Sequence, residues 1–434
     1  MAKNSWCEQR VAATLNRWRR RLRWGLPLLA LARAHAEDQA GYRHEYYQEH
    51  DGRIRVNSDV FLVQKIAAPW LELKADFTCD AIAGATPIGA PPANTITLRD
   101  AATGVVTSGS TIRSYRKAGI DAMSGASPGG TVTVRSASEL PTAQITDDRY
   151  AGNVSAAISV GAHQFTPQVS YSDETDYKSI GLALNYAWAL NQKNTTLVAG
   201  YAHAFDKIVP NSGTFLQQTR HKDSDEVLLG VSQILTPQTV VAVNFTLGQS
   251  SGYLNDPYKG VLFESTPLIS ATEAALYSEK RPEHREKVLA LLSLTQAVSP
   301  VHASVEGSYR LYYDSFDILA HTLGLTWRQK IGDRLVVAPL FRYYRQTAAS
   351  FYDTQFTGDP VVAAALVPTY YSSDYRLSES HTFTYGVQVT VKALDWLSFD
   401  AAYYRYEMHG LDGKTADANY PTADVVSLGG RVWF

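Results

Sequence analysis

The chain has 434 residues, rich in Tyr (26) and Gly (29) but with only two Cys, and its 40 basic and 42 acidic residues leave a net charge of −2. Mean hydropathy is −0.19, and no apolar run approaches the roughly 20 residues that a spanning helix needs, which excludes a helical membrane protein. A nucleic-acid partner is not expected from this charge balance.

The N-terminus reads as a leader. A basic cluster at Arg17, Arg19, Arg20, Arg21 and Arg23 precedes the apolar stretch Trp24 to Ala32, and Ala34-His35-Ala36 follows as an A-x-A cleavage site. A signal peptide over 1–36 is therefore expected. Its removal takes away eight basic residues and one acidic residue, leaving 32 basic and 41 acidic, a net of about −9. Cys7 would leave with it. The remaining Cys79 is then expected as a lone thiol, facing lipid or buried, with no internal disulfide.

From residue 37 onward the dominant signal is a period of two. A faint strand over Tyr42 to Gln48 and a better one from Ile54 to Lys65 come first. From Trp70 to Ala81, Leu71, Leu73, Ala75, Phe77 and Cys79 share one face, and Glu72, Lys74, Asp76, Thr78 and Asp80 share the other. The run from 82 to 148, with Pro87–Pro92 and Ser124–Gly130, reads as one long loop containing the β-prone piece Thr131–Arg135. Regular alternation resumes near Val154 and continues, with a second long loop over 251–284, to the terminal strand Asp424 to Phe434.

Connections near 67, 162, 192, 237, 300, 332 and 394 are tight, while those at 82–148, 207–222, 251–284, 353–373 and 410–422 are long. Short turns at one end and long loops at the other are what an outer-membrane barrel shows, the short side being periplasmic. With both ends of the mature chain on that side the strand number must be even, so the faint first strand is required and the expectation is 16. Trp70, Trp188, Trp327, Trp396 and Trp433 near strand ends fit aromatic girdles. A soluble β-sandwich would alternate similarly but has no use for the leader or the girdles. The expected fold is thus all-β: one transmembrane antiparallel β-barrel of outer-membrane type, porin-like, over 37–434.

Alternation assigns Arg55, Asp59, Glu72, Lys74, Asp76, Glu306, Arg310, Arg328, Arg342, Asp400 and Arg431 to the lumen. These charges either pair across strands to hold the barrel's shape or set the field of a pore. Asn255-Asp256-Pro257 forms a turn beside a proline, and Arg281 and Arg285 flank Pro282. If the Asp256 end folds back onto Arg281 and Arg285, the segment becomes a braced lid or plug. Acidic tips at Asp173, Glu174, Asp176 and at Asp223, Asp225, Glu226 offer oxygen ligands without matching a defined calcium loop, and His284 with Asp256 offers a weaker metal pair. Ser378 and His381 offer a Ser–His pair, but no G-x-S-x-G is present. No metal, cofactor or catalytic set is expected, and an enzyme is the less favoured reading.

Ser172–Ser179 (SDETDYKS), Gly252–Lys259 (GYLNDPYK), Arg281–Arg285 (RPEHR), Arg310–Asp314 (RLYYD), His321-Thr322-Leu323 and Arg342–Phe351 (RYYRQTAASF) resemble an uncharacterised family of proteobacterial outer-membrane proteins known only as a domain of unknown function. The resemblance spans about 40 to 434. It implies a secreted, β-rich, outer-membrane protein and brings no activity, substrate or catalytic residue. It also implies envelope neighbours, among them a small lipoprotein, a thioredoxin-like protein and a flavin transferase. The expected function is a channel or transporter for a small solute in the outer membrane of a Gram-negative bacterium. The alternative is a closed-lumen structural or binding barrel that anchors an envelope partner. Expected partners are outer-membrane lipid and lipopolysaccharide, the barrel assembly machinery and an envelope lipoprotein.

Overall fold

The computed structural model describes residues 38–89, 142–211, 214–264 and 276–434, with the backbone of short strands at 98–99, 106–107, 113–117, 131–134 and at 274–275. The leader expected over 1–36 lies outside the described residues. Alternation dictates the main feature, a closed antiparallel barrel of sixteen strands. Its first half runs β1 (Gln39–Glu49), β2 (Arg55–Ala68), β3 (Leu71–Pro87), β4 (Thr142–Val160), β5 (His163–Asp173), β6 (Tyr177–Leu190), β7 (Thr195–Ile208) and β8 (Arg220–Thr236). The second half is β9 (Thr239–Gly252), β10 (His284–Val298), β11 (Ala303–Asp314), β12 (Leu319–Ile331), β13 (Leu335–Gln346), β14 (Ser380–Leu394), β15 (Leu397–Gly410) and β16 (Thr422–Trp433). Each strand pairs with its chain neighbour, and β1 closes on β16 from Gln39↔Trp433 to Glu49↔Ala423. The faint first strand is real, and it is needed: without it the sheet would have two open edges.

The seam is fastened at its short-turn end. The Phe434 N–H donates to the Asp38 carbonyl at 3.0 Å. The buried Asp38 carboxylate accepts from the Ile66 N–H at 2.7 Å and pairs with Lys65, whose ammonium lies 5.8 Å from the centre of the Phe434 ring.

Burial is inverted relative to a water-soluble protein. Large apolar side chains face outward and are exposed along nearly every strand, for example Leu73 and Phe77 on β3, Ile180, Leu182 and Leu184 on β6, and Leu323 and Leu325 on β12. Trp70, Trp188, Trp396 and Phe434 ring the short-turn end, while Tyr171, Tyr201, Tyr313, Tyr385 and Tyr403 face outward nearer the other end. That is the surface of a barrel solvated by hydrocarbon between two interfaces. No helix among the described residues is long and apolar enough to cross a membrane; the crossing elements are strands.

The connections segregate by length. Those at 69–70, 161–162, 191–194, 237–238, 299–302, 332–334 and 395–396 are all short and lie at the end that holds both termini of the barrel. The opposite end carries 88–141, 209–219, 253–283, 347–379 and 411–421, together with brief turns at 50–54, 174–176 and 315–318. The expected first long loop is shorter than 82–148, because β3 and β4 extend to 17 and 19 residues. At about 3.3 Å per residue these strands run roughly 55–65 Å, well past the roughly ten residues needed to cross. Their upper parts stand above the barrel rim as a hairpin.

Cys79 sits on the outward face with Leu73 and Phe77, but it is disulfide-bonded and not a lone thiol. The expectation of a lone thiol rested on Cys7 leaving with the leader, and Cys7 lies outside the described residues.

Candidate functional site

The long loops do not simply project from the rim. Three of them knit a second, five-stranded sheet in which 260–264 lies between 356–357 and 274–278, with 113–117 and 131–134 beyond. Phe263 supports this sheet, packed edge-on against Tyr277 and Tyr371 at ring separations of 5.6 and 4.9 Å. The loop leaving β9 then enters the barrel mouth. Gly252 makes that departure possible: its φ of +105° is unfavourable for other residues, and an added Cβ would meet the His221 carbonyl at 2.4 Å.

Asn255, Asp256 and Pro257 form the innermost turn of this loop. Asp256 Oδ1 accepts from the Tyr258 N–H at 2.8 Å, and the Pro257 carbonyl accepts from the Phe215 N–H at 2.7 Å. Lys259, almost wholly buried, donates to Thr86 Oγ1 at 3.0 Å and to the Pro87 carbonyl, which fastens the loop to the top of β3. The second inward segment, Ser372 to Ser378, comes from the loop between β13 and β14. Asp374 caps its short turn, accepting from the Arg376 N–H at 3.1 Å.

Where the segments meet, six charged groups form one network. Arg376 donates through Nε to both Asp374 oxygens at 2.9 Å and through Nη2 to Asp256. Arg281 bridges Glu279 at 2.7 Å and Asp374 at 2.9 Å. Glu279 also accepts from Ser372 Oγ at 2.5 Å and from the Asp256 N–H. With buried Lys259, whose charge acts on all three carboxylates, the network holds three cations and three carboxylates. Burial pushes the Asp374 carboxyl up, but Arg376, Lys259 and Arg281 outweigh it and hold the group well below the usual carboxylate range. Burial lowers Lys259 to about 8 against the pull of the neighbouring acids.

The Asp256–Arg376 contact divides the mouth. On one side a cavity of about 920 Å³ runs from the two inward segments down to Thr246, Leu289 and Arg310, in mid-strand on the lumen wall. On the other a smaller space of about 490 Å³ is lined by Tyr47, Val56, Ile82, Tyr406 and Met408. Glu174, Asp176, Asp256, Tyr258 and Arg376 line both. Below these segments the wall from β6 to β9 is dressed with small groups such as Gly181, Asn185, Gly200, Gly230 and Asn244, on the face opposite exposed Leu182, Tyr201, Val231 and Val243.

The structure places the charges assigned to the lumen as follows. Glu72, Lys74 and Asp76 lie opposite Leu73 and Phe77; Glu306 and Arg310 opposite Tyr309 and Leu311; Arg328 opposite Leu325 and Ile331. Arg342, Asp400 and Arg431 likewise oppose Phe341, Phe399 and Val432. Four of these pair, Arg328 with Glu306 and Lys74 with Glu72, both at 2.8 Å. Arg55 and Asp59 need correction, because they face outward. Asp59 shares its face with exposed Val63, and it accepts from Tyr42 Oη at 2.7 Å and contacts His44 Nδ1 at 2.9 Å, both on the outer face of β1.

The brace is also wired differently. Asp256 pairs with Arg376, not with Arg281 or Arg285, and Arg285 pairs with Asp314. The two loop ends do meet, through Asn255, which donates to the Glu279 carbonyl at 2.9 Å and accepts from the Arg281 N–H at 2.7 Å. Neither acidic tip assembles as written. Asp173 turns to Lys178, and Glu174 and Asp176 are joined by Asp147 instead. Asp225 faces outward to His203, whereas Glu226 faces inward to Lys287. Burial raises Glu174 to about 7, with Arg149 opposing and Asp147, Asp176 and Asp80 adding to it. Ser378 Oγ donates to the Tyr375 carbonyl at 2.6 Å and contacts Tyr420 Oη at 2.8 Å, whereas His381 lies among Phe383 and His409, so no Ser–His pair forms.

Sequence reasoning missed Arg376, Asp374, Glu279 and Lys259. Ser372-Ser373-Asp374-Tyr375-Arg376 carries a turn-capping Asp, the one local signal available.

The family described as a protein of unknown function (DUF3570) matches over residues 27–421. No curated protein matches the chain. Among solved structures, the CymD monoaromatic hydrocarbon channel aligns over 93% of this chain and 90% of its own at 9% identity and a TM-score of 0.38. Pseudomonas aeruginosa OccK2 (OpdF) aligns over 91% and 97% at 8% identity and a TM-score of 0.39. Acinetobacter baumannii OccAB3 aligns over 92% and 98% at 10% identity and a TM-score of 0.38.

Proposed function

The chain belongs to the DUF3570 family of proteins of unknown function, and from that premise we propose that it is an outer-membrane channel or transporter for a small solute, gated at its outer mouth by a plug. The observation that carries this reading is the cavity of about 920 Å³ beneath the plug, walled by polar and charged side chains of the barrel. Barrels of sixteen to eighteen strands leave room for an aqueous lumen. A plug held by ion pairs with half of the Arg376 side chain still reached by water is suited to displacement. A structural core would more economically be apolar.

The long-loop end faces the exterior and the short-turn end the periplasm. Lipid and lipopolysaccharide cover the outward face, the assembly machinery reads the β16 strand, and an envelope lipoprotein is a periplasmic partner in this reading. A second reading draws on the same plug: a sealed barrel whose outer loops hold a partner. Swelling of proteoliposomes in small neutral sugars separates the two. A channel gives swelling that rises when the plug is loosened. A sealed barrel gives none in either form.

A further inference from the structure

Among the described residues, each cation around the large cavity has a carboxylate, with one exception. Lys222 pairs with Asp206 at 2.9 Å, Arg285 with Asp314, Lys287 with Glu226, and Arg281 and Arg376 with the plug acids. Arg310 has none. Its Nη2 makes one long contact to Thr322 Oγ1 at 3.4 Å, and its buried Nε has no hydrogen-bond partner. Arg342 forms no ion pair with any described residue either. Guanidinium does not deprotonate, so these charges persist at any working pH.

The register sets the two arginines on either side of β12. Arg310 stands across from Thr322, Thr322 from Tyr344, and Gly324 from Arg342. Their backbones are thus about 10 Å apart laterally. Ser308 Oγ occupies the space over Gly324, where an added Cβ would meet it at 2.6 Å. Apolar and aromatic side chains stand beside Arg310 in this otherwise polar cavity: Leu289 and Tyr312 line it, and Leu291 stands across from Arg310. Glu174 and Asp176, which also line the cavity, lie on the turn between β5 and β6.

We propose that Arg310 and Arg342 form the carboxylate-binding pole of a solute site in the lumen, and that its ligand class is an organic monocarboxylate with an aromatic or aliphatic body. An unpaired, partly buried guanidinium with an idle N–H is costly unless an anion completes it. Leucine and tyrosine beside it accept an apolar body and do not suit an inorganic oxyanion. The acids on the β5–β6 turn disfavour a second negative charge on the ligand. The proposal deepens the transport reading and rests on it for its biological meaning, but binding can be measured without conduction.

Titration calorimetry on the detergent-solubilised full chain tests it, with benzoate, benzamide, phthalate and inorganic phosphate as probes. The expected result is saturable benzoate binding, with benzamide and phthalate at least tenfold weaker and phosphate unable to compete. Arg310→Gln and Arg342→Gln should each weaken benzoate at least tenfold. Arg328→Gln, whose partner is Glu306, should leave it unchanged, and resistance of each variant to unfolding in detergent on heating reports folding. Benzamide equal to benzoate, phosphate displacing it, unchanged affinity in both arginine variants, or no binding at all would each overturn the assignment. Benzoate binding in a protein that fails to swell liposomes would retain the site and reject the channel.

Discussion

Arg376→Ala attacks the contact on which the plug converges. The side chain supplies three hydrogen bonds to Asp374 and one to Asp256. After its removal Asp374 keeps Arg281 at 2.9 Å, whereas Asp256 keeps only the Tyr258 N–H at 2.8 Å. Breaking a buried pair from one side costs about 3–5 kcal/mol. Half of the Arg376 side chain is water-accessible, so roughly half of that, about 2 kcal/mol, is expected here. At about 1.4 kcal/mol per tenfold, the open form of the plug should rise roughly 30-fold. Hydrogen exchange in detergent reads this directly, because Tyr371 and Leu377 donate to Lys280 and Asp374 at 2.8 Å. Exchange across 371–377 should accelerate by about that factor while the barrel strands stay protected. Arg376→Lys should fall between, since an ammonium cannot make the fork. Exchange within about threefold of the parent, or a loss of protection spread over the strands, would refute the latch.

Three further outcomes follow from the geometry. Gly252→Val places a side chain at φ +105° against the His221 carbonyl; a cost of about 1–3 kcal/mol should loosen the 253–259 loop to protease in intact cells before the barrel itself unfolds. Two carboxyls should respond to pH in opposite senses. Asp374 is held below its unfolded value, so its contribution is present above about pH 4 and is lost only as pH falls through the folded value; protection at 371–377, relative to the intrinsic exchange rate, should match at pH 7 and pH 5. Glu174, raised to about 7, contributes below about pH 4.3 and loses it as pH rises through 7. The turn at 174–176 should therefore be more protected at pH 5 than at pH 8, by about 1 kcal/mol after allowance for solvent screening, and Glu174→Gln should abolish the difference. On the outer face, Asp59→Leu strands His44 and Tyr42 and should cost about 1–2 kcal/mol in urea unfolding from lipid vesicles. The double change with His44→Leu should recover most of that.

What could be read from the sequence depended on how strongly solvent chose a face. On β3, Leu73, Ala75 and Phe77 alternate with Glu72, Lys74 and Asp76, and a one-residue slip would put charges into lipid, so face and register were both legible. On β2, Val56, Val60 and Leu62 occupy one face and Phe61 and Val63 the other. Both faces are apolar, the alternation is mute, and assigning charge to the lumen misplaced Arg55 and Asp59. The pairings Tyr42↔Phe61 with β1 and Phe61↔Phe77 with β3 decide. The Asn255-Asp256-Pro257 turn was legible as a turn because its chemistry is local. Its partner was not, since Arg376 stands 120 positions away in a loop with no periodicity. Arg281 looked like that partner by proximity, but Glu279, two residues off and buried with it, claims it. Asp147 was invisible beside Glu174 and Asp176 for the same reason: it belongs to the far arm of a hairpin whose extension above the rim the sequence showed only as loop.

Single-channel recording in a planar bilayer, comparing the parent with Arg376→Ala, tests the central claim that this barrel is a channel closed by an ion-paired plug. Brief, infrequent openings in the parent and an open probability higher by an order of magnitude or more in the variant are predicted. Silence of both proteins at all voltages, with the variant's plug shown by exchange to be released, would contradict it.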